Sequence, residues 1–221
     1  MTFSIIGRLG DKFGMAVSSS SPAVAARCIH LRSGVGAAAS QNITDPALGA
    51  ELLDRLTSTN DSFRALDAVV GSARDITYRQ LSLLGRTGPG AWYSGELALG
   101  IHGGACGTDS VAAGNMLANP GVPQAMTDAF DAHCGELEER LMAALHAAMA
   151  VGGEEGPVHS AGLAVVGDVP WRVTDLRVDW HTDPIQELGQ LLDMWLPQRD
   201  TYLMRALDPS AAPSYGVPGD R

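Results

Sequence analysis

MTFSIIGRLGDKFGMAVS, residues 1–18, decides the class of fold. Phe3 to Gly7 is a short β-prone run. Leu9-Gly10-Asp11-Lys12-Phe13-Gly14 carries turn chemistry, and Met15-Ala16-Val17-Ser18 resumes a strand. The stretch reads as a hairpin that begins at the N-terminus itself, so Thr2 stands at the head of a strand. A chain beginning Met-Thr is expected to lose Met1, because its second residue is small. Thr2 would then carry a hydroxyl and a free α-amine. A hydroxyl is a weak nucleophile unless a base sits within hydrogen-bond reach. The amine supplies that base, with an ordinary pKa of about 7.7–8.0, close to working pH. The plainer reading of four such residues is an ordinary chain end.

Outward from the hairpin, the β character continues. Ser18 to Ser21 and Pro22 make a polar break. Cys28 to Arg32 reads as a strand, Ser33-Gly34 as a turn, and Val35 to Gln41 as a central strand of small residues packed closely against another backbone. The period then changes. Leu48, Leu52, Leu53 and Leu56 recur at helical spacing behind Asp45-Pro46, which predicts a helix over 45–57. A second follows over 61–73, capped by Asp61 or Ser62, with Phe63, Leu66, Val69 and Val70 as its stripe. Tyr78 to Leu84 and Ala91 to Gly95 flank a turn at Arg86–Gly90. Gly100 to Gly107 reads as a mobile loop. Ser110 to Leu117 is a short strand, Val122 to Ala132 and Leu137 to Val151 are helices, Ala161 to Val166 and Leu176 to Asp179 are strands, and Pro184 opens a helix through Trp195. Strands followed by helix pairs favour a layered, mostly antiparallel α+β fold over βαβ repetition.

Bulk properties bound the rest. The 221 residues, 45% of them hydrophobic and 18% charged, suit one soluble domain with a sizeable core, taken as residues 1–207 with a flexible tail over 208–221. A net charge of −10 argues against a nucleic-acid grip, which needs a basic footprint. No apolar run reaches a membrane-spanning length of about 18 residues. Three cysteines without a framework, and no signal-peptide pattern, suit a cytoplasmic protein.

Several tempting features have plainer readings. Gly100–Gly107 matches neither a dinucleotide fingerprint nor a phosphate loop, and a lone Cys106 is usually unreactive. The six histidines show no i, i+4 pair, so no metal site is read. His159 and His181 flank strand ends and are positioned to line a site. The acidic runs Glu136-Glu138-Glu139 and Glu154-Glu155 read as solvated faces.

Longer motifs sharpen the reading. MTFSIIG at the start, Gly34 to Gln41, Arg79-Gln80 with Ser94-Gly95, Gly114-Asn115-Met116-Leu117-Ala118, and Asp175-Leu176-Arg177-Val178-Asp179 followed by His181 and Pro184 occur in order over roughly residues 1–195. Together they resemble the bacterial family known as domain of unknown function 1028 (DUF1028), regarded as similar to N-terminal-nucleophile (Ntn) hydrolases. The resemblance implies an αββα four-layer sandwich with two stacked antiparallel sheets, and a site at the head of the first strand. It implies Thr2 as nucleophile and base, Ser4 on the same side of the strand, Ser18 orienting the amine, and oxyanion donors near Ser40 and Gln41 and from Asn115. Arg79 is a candidate for a substrate carboxylate or for a structural ion pair. Asp175, with Arg177 and Asp179, is site wall or polar network. The chain departs from the family pattern at Gly153–Ser160, which leaves His159 local to this member.

These readings converge on an Ntn-type amidohydrolase. It would cleave a small amide, lactam or ureide without a cofactor, with a homodimer as the default assembly. Two rivals remain: a non-catalytic Ntn-like scaffold for small-molecule binding or assembly, and a threonine peptidase acting in a ring. The single lysine, Lys12, lies in the first turn rather than where a proteasome-like site would need one, and counts against the ring peptidase.

Overall fold

The structure is a computed structural model and describes residues 1–217; positions 218–221 of the expected tail lie outside the described residues. Two antiparallel sheets stack face to face. The larger has the order β10 (Arg172–Val178), β9 (Ser160–Val166), β2 (Lys12–Ser19), β1 (Thr2–Leu9), β8 (Ser110–Asn115), β7 (Gly103–Cys106). The smaller has the order β3 (Ile29–Arg32), β4 (Gly36–Asn42), β5 (Arg79–Gly85), β6 (Ala91–Ser94). Helices α2 (Pro46–Thr59) and α3 (Ser62–Ser72) cover the smaller sheet, while α4 (Val122–Ala132), α5 (Leu137–Ala150) and α6 (Pro184–Leu207) cover the larger. This is the αββα four-layer sandwich expected of an Ntn-hydrolase-like chain.

The opening hairpin turns on two residues. Gly10, at φ +60°, takes a backbone conformation that costs glycine little, and Leu9 pairs with Lys12 across it. β1 is therefore central, flanked by β2 and β8. Alternation along it separates two cores. Phe3 and Ile5 point under α4 and α5, whereas Ile6 points between the sheets with Met15, Val17 and Leu84. Thr2 and Ser4 share the parity of Ile6 and so face the second sheet. A third core lies between the smaller sheet and its helices.

Helix boundaries follow their caps. The Asp45 carboxylate accepts from Ala47 N at 3.0 Å ahead of Pro46, and Asp61 accepts from Phe63 N and Arg64 N at 3.0 and 3.1 Å. The buried stripe of α3 runs through Ala65, Leu66 and Val69, and Phe63 lies outside it, exposed.

Three elements differ from the sequence expectation. A short helix α1 (Val24–Cys28) precedes β3 and packs into the inter-sheet core. Within the glycine-rich stretch expected to be a loop, Gly103–Cys106 form the edge strand β7, while 100–102 and 107 stay irregular. The strand's lack of side chains lets Trp92 of β6 lie directly on the backbone, since a Cβ at Gly104 would come 2.5 Å from that ring. Helix α6 does not stop at Trp195 but continues through Pro197 to Leu207. The lost backbone donor at Pro197 is offset beyond it by the Arg199 ion pairs and by Trp195 stacked on Tyr202 at 5.3 Å. Among the described residues, no helix is long and apolar enough to cross a membrane.

Candidate active site

The middle of the inter-sheet space is apolar, and the end at Thr2 is polar. At the polar end Ser4 Oγ donates to Gln41 Oε1 (2.7 Å), joining β1 to β4. Gln41 Nε2 donates to Gln80 Oε1 (2.7 Å) and to Ala113 O of β8 (3.2 Å). Asn115 Nδ2 also donates to Gln80 Oε1 (3.0 Å), and Gln80 Nε2 donates to Ser94 Oγ and Gly114 O, both at 2.8 Å. The network therefore runs back and forth between the two sheets. Its amides are satisfied, as buried polar groups must be.

Thr2 sits at the rim of this network, only 7% exposed and paired in register with Asn115. Its hydroxyl donates to Met1 O at 2.5 Å and lies 3.3 Å from Ser19 Oγ. Ser19 Oγ donates to the same Met1 carbonyl and is itself fixed by the Ser21 N–H at 3.0 Å. The side chain of Met1 reaches toward Gly156, where a Cβ would come 3.1 Å from the thioether methyl.

The segment after α5 closes the same end. Gly152 and Gly153, at φ +113° and +61°, make a turn that side chains resist. It lays residues 153–155 along 116–118: Ala118 N donates to Gly153 O (3.0 Å) and Glu155 N to Met116 O (2.9 Å). Glu154 is thereby carried inward and is 4% exposed. Neither of its carboxylate oxygens completes a hydrogen bond of ordinary geometry. Burial pushes this carboxyl up to about 7. The chain's first amine and the Ser20 amide and hydroxyl lie close enough to draw it partly back.

The expected site residues divide. Thr2, Ser4, Gln41 and Asn115 gather at this end as expected, but in altered roles. Ser4 and Gln41 are spent on each other and on the network, so they pin the sheets rather than face a substrate. One N–H of the Asn115 amide is likewise engaged by Gln80. Ser18 faces the other way: it shares the parity of Phe3's face and donates to Ser160 O at 3.0 Å. The serine beside Thr2 is Ser19. Ser40 points toward α2 and donates to Asp45 O (2.7 Å), closing the turn into that helix. Arg79, on the outer face of β5, donates to Ile43 O at 2.5 Å and meets no carboxylate among the described residues. Asp175 lies on the edge strand β10 and pairs with Arg172 at 2.9 Å, with Arg177 3.9 Å away, so these form a surface network. His159 stacks on the exposed Trp180 at 4.5 Å, and its backbone N–H donates to Ser19 O at 2.8 Å, which sets it beside Thr2's serine partner.

Two participants escaped the sequence reading. Ser19 was detectable, because Met15, Val17 and Ser19 alternate on one face. Glu154 was not, since a Glu-Glu pair after a helix ordinarily reads as solvated. The acidic run of α5 misled in the same way. Glu138 is wholly buried, accepting from Thr174 Oγ1 (2.7 Å) and pairing with Arg199 (3.1 Å). Burial pushes the Cys28 thiol up to about 11 and raises Cys106 as well, which holds both away from the thiolate a nucleophile needs.

The sequence pattern of a family of unknown function, DUF1028, matches residues 2–188. A crystal structure from that family, of a protein from Silicibacter pomeroyi, is 30% identical over 88% of each chain and superposes with a TM-score of 0.81. This chain belongs to the DUF1028 family. As a DUF1028 protein it shares with that relative a fold and no stated activity. Anbu from Hyphomicrobium sp. strain MC1, as a mutant, is 11% identical over 91% of this chain and 97% of its own, with a TM-score of 0.47. HslV from Trypanosoma brucei is 13% identical over 74% and 98%, with a TM-score of 0.44. Both are too distant to bear on what this DUF1028 chain does. Among curated proteins none matches the sequence.

Proposed function

We propose that this protein is an Ntn-type amidohydrolase acting on a small amide, with Thr2 as nucleophile once Met1 has been removed. The reading requires the cytoplasm, where methionine aminopeptidase acts on chains beginning Met-Thr. What supports it is the position of Thr2. A threonine hydroxyl at the head of a central strand is held nearly buried against Ser19, beside an uncharged polar network that joins the two sheets. Surface threonines at chain ends have no reason to be fixed in this way.

In the proposed cycle the Thr2 α-amine takes the hydroxyl proton as Oγ1 attacks the substrate carbonyl carbon, forming a C–O bond. Ser19 Oγ, oriented by the Ser21 N–H, donates to the carbonyl oxygen as negative charge builds there. The ammonium returns its proton to the departing nitrogen, the C–N bond breaks, and an ester remains on Thr2. Water, deprotonated by the same amine, attacks the ester carbon; the C–O bond to Thr2 breaks, the ammonium returns its proton to Oγ1, and the acid leaves. The network of Ser4, Gln41, Gln80 and Asn115 holds β1 and β8 in place beneath these steps.

The test has two parts. Intact mass of the purified chain is expected to show loss of Met1. A panel of small amides and p-nitrophenyl esters is expected to acylate Thr2, and Thr2→Ala is expected to abolish acylation while leaving the fold intact. Acylation of the Thr2→Ala chain to the same extent would refute the assignment.

A further inference from the structure

The Met1-Thr2 peptide resembles an acyl group already in place. Three of its parts each meet a different feature. Its carbonyl oxygen takes hydrogen bonds from Ser19 Oγ and Thr2 Oγ1, the two hydroxyls the proposed chemistry needs. Its side chain runs to Gly156, where the absence of a Cβ leaves room for the thioether methyl. Its nitrogen lies within electrostatic reach of Glu154. That carboxylate is more than nine-tenths buried, and neither of its oxygens completes a hydrogen bond of ordinary geometry, the Ser20 amide and hydroxyl being its nearby neutral donors. A buried carboxyl with no partner is costly. The chain meets that cost with the two consecutive left-handed glycines that turn Glu154 inward. A carboxylate placed so, with neutral donors nearby and no cation in ion-pair contact among the described residues, is suited to a ligand's cation.

We propose that the substrate is the amide of an α-amino acid with a free ammonium group and an unbranched apolar side chain, its ammonium held by Glu154, its side chain over Gly156, and its carbonyl presented to Ser19 and Thr2. Resting on the nucleophile reading above, this supplies its substrate class. Removal of Met1 vacates the space that such an acyl group fills. Glu154 then acts by recognition, and takes no proton from the reacting atoms. An N-acylated amino acid is excluded, because its amide nitrogen carries no charge to set against the buried carboxylate. Lactams and ureides without an ammonium group are excluded for the same reason.

The experiment uses the full chain freed of Met1, with Thr2 first by intact mass, either as the host leaves it or after release from a fusion cut immediately before Thr2. Ligand-observed NMR follows L-methioninamide, its α-N-acetyl derivative and the deaminated 4-(methylthio)butanamide. Binding and conversion to the acid are both visible in one spectrum. L-methioninamide is expected to bind roughly 10- to 100-fold more tightly than either derivative, the range for one charge-assisted contact. The near-isosteric Glu154→Gln is expected to erase that preference, with its fold checked by circular dichroism. Equal binding of the acetylated or deaminated compound, unchanged binding by Glu154→Gln, or no binding of L-methioninamide at all would overturn the proposal. The two derivatives test it on the unaltered protein, so it does not hang on one variant. Selective binding without conversion would sink the nucleophile assignment and leave the recognition by Glu154 standing.

Discussion

Glu154 should make the protein less stable as the solution becomes more alkaline, and Glu154→Gln isolates that effect. The carboxyl has an ordinary value of 4.5 in an open chain and titrates at about 7 in the fold, because burial disfavours its charge. Between those values the folded state still holds a proton that the unfolded state has lost. The sign follows: this group's stabilisation is complete below about 4.5, falls as pH rises, and is gone above about 7. At ~1.4 kcal/mol per pH unit of separation, the full swing is about 3.5 kcal/mol. Glutamine has the same shape and does not titrate. Urea unfolding of the wild-type and variant chains at pH 5, 6, 7 and 8 gives two stability curves, and every other titrating group cancels in their difference. The variant should gain roughly 2–3 kcal/mol on the wild type between pH 5 and pH 8. Curves that stay parallel across that range would refute the burial of this carboxyl and the reasoning built on it.

Other substitutions probe the frame around the site. Gln80→Ala strips the acceptor shared by Gln41 and Asn115 and should cost about 3–5 kcal/mol in urea unfolding, a truncation cost plus two orphaned donors. Arg199→Met leaves Glu138 buried without its cation and should cost about 3–5 kcal/mol. Adding Glu138→Gln should restore at least half of it, measured by the same denaturation. Gly95→Ala should lower the melting temperature sharply and cost at least ~2 kcal/mol, since its Cβ would come 2.2 Å from Thr77 O, a backbone atom that cannot swing away.

The layers were legible because period and punctuation announce them. The two capped amphipathic helices after β4, and the further pair after β8, could only lie outside a stack of sheets. The site was legible at Thr2 and less so around it. In a sheet covered on both sides, every residue of β1, β2 or β4 near the site is buried, so alternation gives no contrast between inward and outward. Choosing Ser18 over Ser19, or Ser40 beside Gln41, was then a choice of parity that only the opposite sheet decides. Arg79 and Gln80 posed the same choice. The charged residue attracted attention, yet its uncharged neighbour holds the network together. Glu154 and Glu138 were missed for a different reason. A carboxylate is buried by what arrives from far along the chain, residues 116–118 for one and Arg199 for the other, and local pattern carries no trace of either.

At the Thr2 end the pins between the two sheets are hydroxyls and amides, none of which is ionised. Added salt weakens exposed ion pairs such as Arg32–Asp54 and Arg55–Glu51, because mobile ions collect around each charge. It has no comparable hold on Ser4, Gln41, Gln80 and Asn115. At high ionic strength the outer helices should loosen first, while the alignment of β1 against β4 and β5 persists and Thr2 stays where the frame set it.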